Sequence, residues 1–88
     1  MTLIRRLLRG AAPAVGRCAA EHALPLGGYT VVITVAPAGG TSAVVTRAPE
    51  RVTAAGAACV REAYGALRFP RIGAGDQAIR LIWPFELR

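Results

Sequence analysis

Cys59-Val60-Arg61-Glu62-Ala63-Tyr64-Gly65-Ala66-Leu67-Arg68-Phe69-Pro70 is the stretch around which the rest of the chain is arranged. It reads as the second half of a helix that ends in a Leu-Arg-Phe-Pro stop, because the residue before proline avoids the right-handed helical region. Ala48-Pro49-Glu50 opens this helix, with Pro49 near the first position and Glu50 at the positive end of the dipole. Val52, Ala55, Cys59, Ala63 and Ala66 or Leu67 fall on one stripe. Ala54, Ala55, Ala57 and Ala58 are small and helix-favouring, and let the helix lie close to a sheet. After Pro70, Gly73-Ala74-Gly75-Asp76 forms a loop into the clearest strand in the chain. There Ile79, Leu81, Trp83, Phe85 and Leu87 alternate with Arg80, Ile82, Pro84 and Glu86. Pro84 cannot donate to a ladder, so it belongs at a sheet edge or where its nitrogen points outward.

Working back towards the start, Tyr29, Val31, Ile33 and Val35 alternate with Thr30, Val32 and Thr34 in a β-branched run that predicts a strand. Leu24-Pro25-Leu26-Gly27-Gly28 is a turn before it. Pro37-Ala38-Gly39-Gly40 closes it with hairpin chemistry, and Ser42 to Arg47 is a shorter antiparallel partner. Residues 2–22 place Ile4, Leu7, Leu8, Ala11, Val15, Cys18, Ala19 and His22 on one helical face, interrupted at Gly10 and Pro13. This predicts a short helix at about 3–9 and a main helix from Pro13 to about His22. The fold class is α+β: a three-stranded antiparallel sheet with two main helices packed on one face, in the order α-β-β-α-β. Residues 1–88 form one domain, with 1–10 a basic helical segment and 11–88 the core.

The chain has 88 residues, 53% of them hydrophobic, and a net charge of +6. It is too apolar to be disordered, and no apolar run is long enough to span a membrane. All eleven basic residues are arginines. They suit an anionic partner such as nucleic acid, a lipid headgroup or a cell-wall polymer, but a solvated surface whose arginine bias reflects a genome rich in G and C accounts for them better. They run from Arg5 to Arg88 with only Arg5, Arg6 and Arg9 clustered, so no basic stripe with interleaved aromatics is visible. The arginine-rich start has some likeness to a secretory signal, a transit peptide or a membrane-surface helix. A packed core helix fits its apolar face better. Cys18 and Cys59 are two buried thiols in a reducing compartment or one disulfide in an oxidising one. As a disulfide they would close a loop worth about 4 kcal/mol.

Reactive chemistry is sparse. His22, Ser42 and Asp76 are the letters of a triad, with no local pattern that poises them, and His22 reads as a helix-end residue. Two cysteines and one histidine at these spacings make no zinc pattern. Gly73-Ala74-Gly75 is too short for a phosphate-binding fingerprint and precedes a strand rather than a helix. No enzyme, no catalytic residue, no metal site and no cofactor is expected.

The order of these pieces resembles the C-terminal domain of TonB-like energy-transducing proteins, and within them the gliding-motility branch of the AgmX/PglI type. The matching pieces are the basic first helix carrying Cys18 and Gly28 opening Tyr29–Val35. Then come Ala58-Cys59-Val60-Arg61-Glu62-Ala63, Leu67-Arg68-Phe69-Pro70 and Ile82-Trp83-Pro84-Phe85-Glu86-Leu87. Two departures stand out. The hairpin turn is Ala38-Gly39-Gly40 rather than Asp-Gly, and Ala19 follows Cys18 where the branch tends to carry an aromatic. The resemblance implies a periplasmic domain, normally attached to an inner-membrane anchor that this sequence lacks. It also implies a Cys18–Cys59 pair tying helix to helix. The implied function is protein–protein contact by β-strand pairing with an envelope protein of the outer membrane or periplasm, in an energy-transducing or gliding-motility complex. Arg80, Ile82, Trp83, Pro84, Phe85 and Glu86 are the candidate partner-binding edge. For Leu81, Trp83 and Phe85 plain core packing against the helices is the stronger reading, which leaves Arg80 and Glu86 as the better surface contacts. Two copies pairing edge to edge as a homodimer is a further expectation. The alternative is a basic domain binding nucleic acid or an anionic membrane or cell-wall surface, although no nucleic acid is expected as partner.

Overall fold

Tyr29, Val31, Ile33 and Val35 retain at most 1% of their surface exposed, which makes their strand the centre of the structure. The computed structural model describes residues 2–69 and 77–88. In chain order the elements are α1 (Thr2–Arg9), α2 (Ala12–His22), β1 (Gly27–Val35), β2 (Thr41–Arg47), α3 (Ala54–Gly65) and β3 (Ile79–Leu87). The three strands form one antiparallel sheet in the order β2-β1-β3. The fold is therefore the α+β arrangement expected, with a central β1 and two edge strands. The loop expected at Gly73–Asp76 and the proline of the helix stop, Pro70, lie outside the described residues.

The helical stripe read near the start of the chain is the buried one. Leu8, Ala11, Val15 and Cys18 are core, flanked by half-buried Ile4, Leu7 and Ala19. Pro13 stands in the first turn of α2, where its missing N–H costs nothing. His22 is the last residue of α2. Ala23 then adopts a left-handed conformation (φ 48°) and returns its N–H to the Ala19 carbonyl. β1 begins at Gly27, so the last two residues of the expected turn already pair with β3.

α3 differs from expectation at both ends. Its N-cap is Thr53, whose side-chain oxygen accepts from the Gly56 N–H at 2.9 Å. Pro49 belongs instead to a turn closed by the Val52 N–H on the Pro49 carbonyl. The helix stops at Gly65, before the proline stop is reached. A tertiary partner ends it: the Thr41 hydroxyl, at the head of β2, sits 2.9–3.2 Å from the carbonyls of Tyr64, Gly65 and Leu67. Its single proton can serve one of these carbonyls at a time; the Tyr64 carbonyl already accepts from the Leu67 N–H, so those of Gly65 and Leu67, both at 2.9 Å, gain most. Beyond it, buried Phe69 donates its N–H to the Gly39 carbonyl in the hairpin turn. The buried face of α3 is Gly56, Val60 and Tyr64, one residue on from the predicted stripe; Ala55 is exposed, while Cys59 and Ala63 are half-buried.

The close approach that small residues permit is made at Gly56. A Cβ there would stand 2.8 Å from Leu24 Cδ2 and 3.6 Å from His22 Cβ, so the end of α2 lies directly on the start of α3. The Cys18–Cys59 disulfide joins the same two helices with a Cα–Cα distance of 5.8 Å. No helix among the described residues is long and apolar enough to cross a membrane.

Candidate partner-binding surface

The β1–β3 register runs from Gly27↔Leu87 to Val35↔Ile79. It places Ile79, Leu81, Trp83, Phe85 and Leu87 on the helix side of the sheet, beside the buried residues of β1. Arg80, Ile82, Pro84 and Glu86 lie on the open side and are exposed. The register also sorts the backbone. Ala36 donates its N–H to the Gly40 carbonyl across the hairpin. In an antiparallel ladder hydrogen-bonded and non-bonded pairs alternate. Val32 and Thr34 of β1 therefore bond to β2, up to a register shift between Thr30 and Val31, and the odd residues bond to β3. On β3 it follows that Arg80, Ile82, Pro84 and Glu86 turn their backbone groups away from β1, towards the free edge. Pro84 sits where its missing N–H costs no internal bond, the position expected for it. Its ring also removes one donor from the outward row, as edge strands commonly do.

Of the six expected edge residues, the structure divides four from two. Arg80, Ile82, Pro84 and Glu86 offer the free edge and the open face. Ile82 is among the most exposed large apolar residues, at 71%. Glu86 pairs with Arg88 at 3.1 Å, an exposed contact that adds little. Trp83 and Phe85 point to the helices and are half-buried against the core. Phe85 stacks on Tyr29 at 5.2 Å with the rings 4° apart, and meets Tyr64 at 6.0 Å. Tyr29 is anchored through its hydroxyl, which donates to the Pro25 carbonyl at 2.7 Å. Burial pushes the Tyr29 and Tyr64 hydroxyls above their ordinary range, with the Trp83 indole N–H opposing the rise at Tyr64.

Trp83, Phe85 and Leu87 still leave part of their surface open. Together with Leu8, Ala12 and Val15 of the first two helices they line a groove of about 280 Å³ beside the β3 edge. Arg9 and Glu86 stand at its rim. This groove was not anticipated from the sequence, because it depends on how α1 and α2 cross the end of β3. Its only hint was the aromatic alternation of residues 79–87.

His22 closes α2 and Ser42 is an exposed residue of β2, so the triad letters are held on separate elements; Asp76 lies outside the described residues. All ten described arginines are exposed and scattered over the helices, the two edge strands and the loops. Comparison of the chain with protein-family models, curated proteins and solved structures gives no match.

Proposed function

We propose that this domain is a non-enzymatic protein–protein interaction module of the bacterial cell envelope, of the TonB C-terminal kind. It takes a short extended segment of an envelope partner onto the free edge of β3. The observation that carries this reading is the edge itself: an outward row of backbone groups lying beside an apolar groove with aromatic walls. Strand addition uses these two features together, main-chain bonds for affinity and pockets for alternate side chains for specificity. The Cys18–Cys59 disulfide supports an oxidising compartment, and hence the periplasm. An energy-transducing or gliding-motility complex is the setting that the family resemblance suggests. A second copy paired through the same edge gives a homodimer and competes with the partner segment.

The dispersed arginines favour this reading over nucleic-acid binding. Single-strand and surface readers set aromatics among their basic residues, whereas Trp83, Phe85, Tyr29 and Tyr64 are turned into the core side of the sheet. Ile82→Pro tests the proposal. The Ile82 N–H faces away from β1, so proline removes an outward donor while the inner ladder stays intact. Affinity for the envelope partner captured by the wild-type domain should fall about fivefold or more, with the unfolding midpoint little changed. Unaltered affinity in a folded Ile82→Pro protein defeats the proposal, as does binding that DNA displaces and salt abolishes.

A further inference from the structure

We propose that a second copy of this chain docks on the open face of the sheet, apolar row on apolar row, as a weak two-fold pair that leaves both strand edges free. The proposal does not depend on what binds the β3 edge. It starts from the register. Val32 lies opposite Val44 of β2 and Ile82 of β3, so the three form one row straight across the sheet. Their strand neighbours Val31, Ile33 and Ala43 face the helices and are core, which puts the row on the open side. Val44 is 59% exposed and Ile82 71%, with half-buried Val32 between them. Single apolar residues are common on a surface and need no partner. A row in register across every strand is different, because the solvated face of an antiparallel sheet ordinarily carries polar side chains.

The rows on either side are uncharged apart from one arginine each. One is Ser42, Thr34 and Arg80; the other is Arg47, Thr30 and Pro84. The face is thus low and largely β-branched, a surface on which another sheet can pack at a spacing of about 10 Å.

Charge selects the occupant. Arg80 and Arg47 stand at diagonally opposite corners of these rows, and Arg47 shares a hollow of about 390 Å³ with Pro84 and Glu86. A two-fold axis parallel to β1 lays β2 of one copy over β3 of the other, row on row. Val44 then meets Ile82, and Val32 meets Val32. Arg80 falls over Ser42, and Arg47 falls over Pro84 with Glu86 beside it. No arginine opposes an arginine, and each Arg47 gains a carboxylate of the other copy. The face is self-complementary in its apolar row and in its charges, which a chain of net charge +6 requires before it can approach its own copy. Size sets the strength. Strands about 4.8 Å apart, rising about 3.4 Å per residue, give this face roughly 400 Å². Two copies would bury roughly 800 Å², below the roughly 1,200 Å² of a stable complex, so the pair is transient and forms at high concentration.

The test mixes isotope-labelled and unlabelled oxidised domain and follows NMR signals through a dilution series from millimolar concentration. The methyl signals of Val32, Val44 and Ile82 should shift with concentration, and intermolecular NOEs should link Val44 to Ile82. Val44→Glu, at an exposed position, should weaken the pair about tenfold or more by setting a charge against Ile82. Ser42→Arg should weaken it about threefold, and Arg80→Glu in the same chain should restore it. A domain that stays monomeric at millimolar concentration overturns the proposal, and so does a pair of unchanged affinity in Val44→Glu. A loss in Ser42→Arg that Arg80→Glu leaves in place overturns it in favour of another facing. Slowed amide exchange at Ile82 and Glu86 with Val44 methyls silent overturns it in favour of edge pairing.

Discussion

Removing the disulfide is the perturbation with the largest calculable effect. Cys18 and Cys59 are 41 residues apart, and closing a loop of that length removes denatured-state entropy worth about 4 kcal/mol. At the usual stability per residue, an 88-residue domain has roughly 4–13 kcal/mol in total. The cross-link thus supplies a third or more of it. The double substitution Cys18→Ala and Cys59→Ala is the better variant, because serine would bury a hydroxyl at the 3%-exposed position 18. Guanidinium unfolding of the oxidised, reduced and double-alanine proteins should rank the first well above the other two. At about 4–8 °C per kcal/mol for a domain of this size, the melting midpoint should drop by about 15–30 °C. Reduced and double-alanine proteins should agree within about 1 kcal/mol, the allowance for lost sulfur packing. Oxidised and reduced proteins with the same midpoint would refute the reasoning, as would free thiols in the folded oxidised protein.

Three further outcomes follow from the packing. Gly39 has φ 98°, and a Cβ there would run into the Phe69 carbonyl oxygen, so Gly39→Ala should cost about 3 kcal/mol in denaturant unfolding. Thr41→Val keeps the shape and removes the hydroxyl that serves the end of α3. It should cost about 1 kcal/mol, and Thr41→Ser should restore most of it. Alkali should weaken the fold. The Tyr29 and Tyr64 hydroxyls titrate above the unfolded value of 10.0, so their contribution is complete below that pH and is lost as pH rises through their folded pKa values. Phenolate absorbance should therefore rise together with unfolding; ionisation at pH 10 with the fold untouched would contradict the buried environment.

The strands were the most legible part of the sequence, because alternation in Tyr29–Val35 and Ile79–Leu87 carries strong contrast between the two faces. Pro84 even pointed to the edge on which β3 lies. α2 was legible for the same reason, with Val15 and Cys18 set against Arg17 and Glu21. α3 was legible as a helix but not in its limits or its rotation. Ala54, Ala55, Ala57 and Ala58 give all sides of its first turns the same polarity, so periodicity alone could not choose between Ala55 and Gly56 as the buried position. The choice comes from the contact of Gly56 with Leu24, which only tertiary structure contains. Its end depends on Thr41, more than twenty residues upstream. The groove beside β3 was hidden for a related reason. It is walled by the first two helices and the last strand, elements distant in sequence, and the strand order β2-β1-β3 is not dictated by the order of strands along the chain.

The most direct test of the account is site-specific photo-crosslinking from position 82, on the outward row of β3, in intact envelopes. Strand pairing there should give a crosslink to one short segment of an envelope protein, lost when Arg80→Pro removes the neighbouring outward donor and retained when the exposed helical residue Ala55 is changed. Crosslinks scattered over many proteins, or a single crosslink indifferent to Arg80→Pro, would contradict strand pairing at this edge.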